Sequence, residues 1–583
     1  MSHSTWKRIS SAGLSAVILA GLLAGCNSTS SSSSASSTAP SNSTSSTAGG
    51  SSSASSEAPS QAVPTLPLSE PLTVTIFSNF NAKFVGKVEN YNDIPFVKWW
   101  SEQTGATIDF QTVANEVWNE QFGLKIASKD LPDVFNGVGP YSGGDLQAFK
   151  DGVIVSLTPY MGQGYMPNLS KFYETFPKYA DMARTSEGDY LSVPNIRGHA
   201  ENLNSNGLVV RKDLLDQAGL EVPTTIEEWD TALRAFKTMG VIPFSPRDNK
   251  WLNVNMPFIS AWNMTYFEYQ DNGTVKYGAT QPEFKEYLQL MHTWYEDGLL
   301  DPDYLTSDTK TITAKVSAGL VGSYVGAAGG NLQTPWYAIV EENVDSPIEY
   351  IGAPVPTLEK GATPKIGPRY DEVNPNVGFY MSSKCANPEL TAMVLDYMYS
   401  EEANLALNYG IEGTHYNRNA DGLIDAYEKQ ADGSYKNLVE SWRPGFGDAG
   451  PGYLVGILDY ENKTILDPTS SKIVAPMPLG DNPDALVLKK RHIDEVRQEA
   501  LSLWSSFEAV NRVPGLNYTV EDAQARADIY GDIETYVYEG VTQFIMGQRD
   551  LETFDAFVAE IQAMGVDKAL AITQKYLDAQ NGK

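Results

Sequence analysis

Leu72-Thr73-Val74-Thr75-Ile76-Phe77, then Ala106 to Val113, then Leu131-Pro132-Asp133-Val134-Phe135-Asn136-Gly137 are three strand-like runs rich in apolar and β-branched residues. Between the first two lies a helical pattern carrying Phe96, Val97, Trp99 and Trp100, and between the last two a helical pattern from about Glu116 to Ser128. Strand, helix, strand, helix, strand predicts an α/β architecture with a parallel sheet covered by helices. In such sheets ligands gather beyond the carboxyl ends of the strands. Asn79, in the polar turn Ser78-Asn79-Phe80-Asn81, and Asn136 both fall there.

Further along, Glu187 to Pro194 reads as a hairpin leading into a strand that proline ends. Leu208-Val209-Val210 is a strand that passes into a short helix, Arg211 to Ala218, stopped by Gly219. Thr225 and Glu228 form a capping box ahead of Ile226, Trp229, Leu233 and Phe236, which share one helical face, with Gly240 as the stop. Asn387-Pro388 marks another helix start. The last hundred residues read as largely helical, with Phe544, Phe554, Phe557, Ile561, Ile572 and Leu577 at buried spacing. The sequence contains no internal repeat.

The amino-terminus has its own grammar. Lys7 and Arg8 precede the uncharged apolar run Ala12 to Leu23, and Leu23-Ala24-Gly25-Cys26 supplies small residues at a cleavage position, so residues 1–25 read as a signal peptide. The run is shorter than the ~20 residues a spanning helix needs. The LAGC spelling resembles the bacterial lipobox, which implies diacylglyceryl modification of Cys26. Two acyl chains suffice for stable anchoring, and this places the chain on the outer face of a bacterial cytoplasmic membrane, lipid-anchored and extracellular. Residues 26–70 are dominated by Ser, Thr, Ala, Gly and Pro, too poor in apolar surface to offset the entropy of ordering. A coil of about 40 residues reaches roughly 35 Å, so this segment reads as a disordered tether.

The chain has 583 residues and a formal charge of -30, and cleavage of the segment with Lys7 and Arg8 makes it more acidic still. Nucleic acid is excluded as a partner, because a polyanion needs a basic face. With two cysteines in the whole chain and Cys26 acylated, Cys385 has no intramolecular partner. It reads as a small core residue at a strand end.

Several segments together resemble the extracellular solute-binding lipoproteins (family 1, carbohydrate type, LplA/LipO-like) of bacterial ABC importers. The most specific is LVVRKDLLDQAGLEVPTTIEEWDTALRAFK, Leu208 to Lys237. With it come DLPDVF at Asp130 to Phe135, GDYLSVP at Gly188 to Pro194 and YEDGLLDPDY at Tyr295 to Tyr304. YGIEGTHY at Tyr409 to Tyr416, QFIMGQ at Gln543 to Gln548 and MGVDKAL at Met564 to Leu570 complete the order. The resemblance implies a two-lobed periplasmic-binding-protein-like fold (type II), with a hinge between lobes and a helical carboxyl-terminal region. The expected division is a solute-binding domain at 71–583. Its first lobe takes about 72–195 plus about 376–470, and its second about 196–375 plus about 471–583. It further implies capture of a carbohydrate, an oligosaccharide above all, and delivery to the permease subunits of an ABC transporter by a monomer, with no chemistry on the sugar.

Sugars present apolar ring faces and a rim of hydroxyls, so a cleft for them needs aromatic platforms beside amide and carboxylate partners. The candidates are Asn79, Asn136, Asn204 and Glu412 for hydroxyls, His415 beside Glu412, and Trp251, Trp262 and Tyr324 as stacking faces. Each aromatic has a plainer reading as core. Glu412 and His415 have one as local backbone partners in a helix-to-hairpin connection. Asn417, Asn419, Asp421, Asp425 and Glu428 fall at positions 1, 3, 5, 9 and 12 of an EF-hand-like loop with Gly422 at 6, which makes calcium the one cofactor to test. The alternative there is a hairpin with an Ala-Asp-Gly tip. No catalytic motif is present, and the expectation is a non-enzyme. Two other readings stay open: a surface glycan hydrolase or lyase using a carboxylate pair, and a sugar sensor that presents its ligand to a receptor.

Overall fold

The computed structural model describes residues 63–80, 88–197, 203–246, 258–368, 373–431, 433, 435–442, 457–458, 478–479 and 483–582. They belong to one compact unit, Val63–Lys583. In chain order the strands begin with β1 (Leu72–Phe80), β2 (Ala106–Ala114), β3 (Val134–Asn136), β4 (Val193–Arg197), β5 (Asn206–Arg211) and β6 (Ile242–Ser245). A hairpin of β7 (Glu268–Asp271) and β8 (Thr274–Tyr277) precedes β9 (Val321–Ala327), β10 (Tyr350–Ala353) and β11 (Val373–Met381). Last come β12 (Asn417–Arg418), β13 (Ile424–Asp425), β14 (Tyr427–Lys429), β15 (Tyr435–Asn437) and β16 (Ile457–Leu458). The first lobe is built on the sheet β16-β4-β11-β3-β1-β2 and the second on β10-β5-β9-β6.

The opening segment folds as its pattern predicts, except that Ser78, Asn79 and Phe80, read as a turn, continue the first strand. β1 pairs in parallel with β2, from Leu72↔Ala106 to Phe80↔Ala114, and in parallel with β3. The helices between them are Pro95–Thr104 and Trp118–Ser128. The first begins with proline in its first turn, where a missing N–H is harmless, and stops at Gly105. That glycine is required twice over, by its φ of 69° and because a Cβ there would lie 2.6 Å from the Leu68 backbone. Asp133 locks the third strand to the first: its carboxylate accepts from Thr75 N (2.9 Å) and Thr75 Oγ1 (2.7 Å), while Thr75 Oγ1 accepts from Asp133 N (2.9 Å).

Each sheet is covered on both faces. On the first, Ile76, Val134 and Phe379 join one apolar layer with Trp100, while Phe77, Phe135 and Tyr380 join another with Phe122. On the second, Leu208 and Val210 pack with Trp229, Phe236 and Trp294, and the intervening Val209 packs with Trp336, Tyr350 and Trp504. This is the period-2 alternation of a strand buried on both sides. The carboxyl-terminal helices Ala485–Trp504, Val520–Ile545, Phe554–Ala563 and Val566–Gln580 close the second lobe. Phe544, Phe554, Phe557, Ile561 and Leu577 are buried, and Ile572 is partly exposed. Among the described residues no helix is long and apolar enough to cross a membrane.

The predicted cap at Thr225 forms with one change. Thr225 Oγ1 accepts from Glu228 N (3.2 Å), yet the Glu228 carboxylate reaches one residue further back and accepts from Thr224 N and Oγ1, both at 2.8 Å. Cys385 is half-buried, its Sγ 3.3 Å from Thr391 Oγ1, and burial pushes its thiol pKa up.

Candidate ligand-binding crevice

Strand directions define one functional edge in each lobe. β11 runs antiparallel to both β3 and β4, so β1, β2, β3 and β4 all end on the same side of the first sheet. β5 runs antiparallel to β9 and β10, and β6 runs with β9, so β6, β9 and β10 end where β5 begins. The chain passes between lobes from β4 to β5, from β10 to β11, and from β16 to the helix Ala485–Trp504. The first two passages leave and arrive at these same edges. The carboxyl ends of both sheets therefore face one crevice, spanned by the passages that serve as its hinge.

The structure brings three of the expected amides to these edges. Asn79, near the end of β1, donates its amide to Asn115 Oδ1 (2.8 Å), just beyond the end of β2. Asn136, the last residue of β3, is buried and donates to Ser78 Oγ (3.1 Å). Asn204 is buried at the entry to β5, beside buried Asn206. Sequence reasoning missed their partners Ser78 and Asn115, although strand-end position was a sufficient signal for both. It also missed Ser245 at the end of β6, which donates to the buried carboxylate of Asp301 (2.6 Å). Lys315 Nζ lies 2.9 Å from both oxygens of Asp301. Asp145, in the helix Gly144–Lys150 after β3, is a further omission: burial raises its carboxyl pKa, and Tyr380 OH lies 3.4 Å from Oδ2.

Tyr324 requires a correction. It is fully buried, donates its hydroxyl to the carbonyl of Asn331 (2.7 Å) and packs edge-on against Tyr350 at 5.7 Å. A ring enclosed in this way offers no stacking face, because it lies in the core layer with Val316, Leu332, Trp336 and Tyr350. Trp262 ends a short helix, Ile259–Trp262, on the second lobe. Its indole donates to Glu286 Oε2 (2.9 Å) and its ring meets Tyr287 at 5.8 Å. The next residue, Asn263, accepts from Lys365 N (3.1 Å) in the β10-to-β11 passage. Trp251 lies outside the described residues, as does Cys26.

Glu412 and His415 follow the helix Glu401–Tyr409. His415 Nδ1 accepts from Ile411 N (3.1 Å), and its ring lies 4.6 Å from Trp442. Burial lowers its pKa, which suits the neutral, accepting imidazole this bond needs. Glu412 is exposed, with Arg418 Nε 3.5 Å from its carboxylate. The local-backbone reading describes His415, and a charge pair describes Glu412.

Asn417 to Asp425 form a β-hairpin, with Asn417 opposite Asp425 and Arg418 opposite Ile424, and Glu428 lies on the next hairpin, opposite Lys436. Asn419 Oδ1 accepts from the backbone N of Asp421 (3.0 Å) and Leu423 (2.9 Å), Asp425 from Tyr427 N (3.2 Å), and Glu428 from Gln430 Nε2 (3.2 Å). Among the described residues no group of three or more His, Cys, Asp or Glu side chains is placed to hold a metal ion. The donor set of the EF-hand spacing does not converge here. The reason is that Glu428 sits on the neighbouring hairpin, while Asn419 and Asp425 are already engaged by local backbone N–H groups.

The comparisons with known proteins agree with this architecture. A family described as "Bacterial extracellular solute-binding protein" matches residues 78–405. The fructooligosaccharide ABC transporter substrate-binding protein FusA of Streptococcus pneumoniae is 26% identical over 534 residues, 88% of this chain and 91% of FusA. Lipoprotein LipO of Bacillus subtilis is 26% identical over 364 residues, 58% of this chain and 66% of LipO. The crystal structure of an extracellular solute-binding protein from Bifidobacterium longum subsp. infantis superposes with a TM-score of 0.66 at 21% identity, covering 87% of this chain and 98% of that one. With a two-lobed α/β fold, a hinge-spanned crevice and a family match over more than half its length, this chain belongs to the bacterial extracellular solute-binding proteins.

Proposed function

We propose that this protein is the substrate-binding component of an ABC importer for an oligosaccharide, which it captures between its lobes and hands to permease subunits without altering it. The observation that carries this reading is the likeness to the fructooligosaccharide ABC transporter substrate-binding protein FusA over most of both chains, 88% of this one against 91% of that one. Family membership and the crevice at the carboxyl strand ends support it. Cys26 is the lipid anchor, attaching the chain to the outer face of the membrane through the serine-rich tether. Asn79, Asn136 and Asn204 bond sugar hydroxyls. Trp251, Trp262 and Glu412 are further candidates.

Sugar capture draws on geometry the chain already has. Each side-chain amide offers two donors and an acceptor, matching hydroxyls that both donate and accept. Ligand contacts to both lobes favour the closed arrangement by their differential affinity, so closure is the signal a permease can read.

The test is a melting screen of the mature chain against sucrose, kestose, longer fructooligosaccharides and acidic plant oligosaccharides. A ligand at 100 times its Kd should stabilise the fold by about 2.7 kcal/mol. Asn136→Ala should weaken the best ligand at least about tenfold. Release of new reducing ends from any of these sugars would replace the transport reading with hydrolysis. Intact-mass analysis of membrane-extracted protein should show a diacylglyceryl cysteine at residue 26.

A further inference from the structure

In addition to the hinge passages, the lobes meet through side chains of their own. The loop between the helices Ala485–Trp504 and Val520–Ile545, with the first turns of the second helix, reaches from the second lobe to the first. Asn517 Nδ2 donates to the carbonyl of Asp181 (2.7 Å). At the start of the helix Glu521 pairs with Lys150. A turn later Gln524 faces Gly143, where a Cβ would lie 2.9 Å from Gln524 Oε1. The Gln524 amide donates to Asp528 (2.6 Å), which leaves its oxygen against the first lobe.

Both sides of this contact are held firmly in their own lobes. In the first, Ala148 buries the helix Gly144–Lys150 and Tyr179 buries the helix Pro177–Ala183. In the second, Thr519 caps the long helix by accepting from Asp522 N (3.3 Å), and its own N donates to Tyr576 OH (2.9 Å), which donates in turn to Asp522 Oδ2 (2.8 Å). Ile533, Val537 and Val541 carry the same helix into the second-lobe core. The loop begins at the hinge, where Asn511 N donates to Lys365 O (2.9 Å) and Asn511 Nδ2 to Asn263 O (2.9 Å). A rigid rotation of one lobe against the other therefore pulls the partners apart instead of carrying them along.

The surroundings make the contact separable. Beside it lies a cavity of about 760 Å³ with walls from both lobes, Met182 and Arg184 on one side and Glu508, Arg512 and Leu516 on the other. Permanent contacts pack like a protein interior, whereas here a few polar contacts stand next to a gap. The side chains of Glu521 and Lys150 are 74% and 40% exposed, so their attraction is screened and contributes little by itself. Contacts of this strength bias an equilibrium between arrangements without locking it.

We propose that residues 517–524 form a latch between the lobes, which biases the free protein toward the arrangement of the structure and so reduces the closure that ligand contacts must drive. Apparent affinity scales with the fraction of molecules already in the binding-competent arrangement, and the latch raises that fraction before a ligand arrives. Lys150, Asp181 and Gly143 are its seats on the first lobe. The latch acts on the equilibrium of the lobes, whichever class of ligand the crevice takes.

Small-angle X-ray scattering of the ligand-free mature chain tests it, with melting curves to check that each variant is folded. Lys150→Glu and Glu521→Lys each set like charges against one another across the contact, so each should raise the radius of gyration above that of the parent. The double exchange restores the pair in reverse and should return the radius to the parental value. Asn517→Ala, which adds no charge, should act in the same direction with a smaller rise. Lys490→Glu opposes Glu341 within the second lobe and should leave the radius unchanged. Parental radii in both single reversals, a rise that the double exchange does not undo, or an equal rise in Lys490→Glu overturns the latch. None of these readouts needs a sugar, so the transport reading stands or falls separately.

Discussion

The two lobes solve the same packing problem with different residues. β1, β2 and β3 contain no glycine, and the first lobe fills the space above its sheet with large side chains such as Trp100, which stacks on Phe379 at 5.8 Å. The strands of the second lobe carry Gly207, Gly322, Gly326 and Gly352. At Gly207 a Cβ would fall 2.2 Å from the Trp504 ring, and at Gly352 it would fall 2.6 Å from the Ala500 Cβ. The helix Ala485–Trp504 thus lies almost on the backbone of β5 and β10, the strands that receive and release the hinge passages. Trp504 even donates to the carbonyl of Ala353 (3.0 Å), where β10 ends. Bulk supports the first lobe, whereas close approach fixes the second to its hinge.

Truncation in the first lobe is the largest expected effect. Trp100 is fully buried and donates to Val394 O (3.2 Å). Trp100→Ala should cost about 3–5 kcal/mol in urea unfolding, through lost burial and the cavity it leaves. A cost near 1 kcal/mol would show that the first lobe collapses around the gap, and that bulk is not its principal support.

In the second lobe the informative change adds an atom. Gly207→Ala should destabilise by about 1–3 kcal/mol through overpacking against Trp504, and it should alter ligand affinity because β5 adjoins the hinge. The same substitution at Gly188 or at exposed Gly361, where nothing lies within 4 Å but φ is 98° or 82°, separates backbone strain from contact. If those controls cost as much as Gly207→Ala, the closeness of the helix is not what constrains the second lobe.

This contrast also explains what the sequence reveals. β1, β2 and β3 are consecutive elements joined by helices, so a local pattern of apolar runs reads directly as a parallel sheet. The second sheet pairs β10 with β5, β5 with β9 and β9 with β6, contacts between distant segments that no local period encodes. Tyr324 was misread for a related reason. Every residue of β9 from Val321 to Gly326 is buried, and a strand covered on both faces has no alternation to separate ring faces that meet solvent from those that meet core. Asn79 and Asn136 were legible because polar residues at the ends of apolar runs stand out. Ser245, Asp301 and Lys315 were not, since they lie on a strand, a loop and a helix that meet only in three dimensions.

A smaller effect is expected at the start of the helix Ile226–Thr238, where the cap residue Thr225 is buried. Thr225→Ala removes the cap and should cost about 1 kcal/mol. The Glu228 carboxyl is held down to about 2, chiefly by Lys360 and then by Thr224. Its folded-state pKa lies below the ordinary value, so its contribution is fully present above the ordinary carboxylate range and fades as pH falls toward about 2. Glu228→Gln should therefore melt slightly below the parent at pH 7 and converge with it in acid. A difference independent of pH would assign the effect to the shape of the side chain.

The smallest expected effect belongs to the hairpin beyond both lobe sheets, and its value lies in being near zero. Arg418 donates to the carbonyl of Gly422 (3.1 Å) while its Nε stands 3.5 Å from Glu412. The hairpin already has a cation of its own between the turn and a carboxylate. Asn419 holds two backbone N–H groups, so its oxygen is engaged without a metal. Exhaustive chelation should leave the melting temperature unchanged, and added calcium should not raise it, whereas Arg418→Ala should lower it slightly by freeing the turn. Loss of several degrees on chelation, restored by calcium, would mean that Asn417 to Glu428 abandons its strand pairing to enclose an ion, and the hairpin would then be the metal-gathering loop that its spacing of oxygen side chains first suggests.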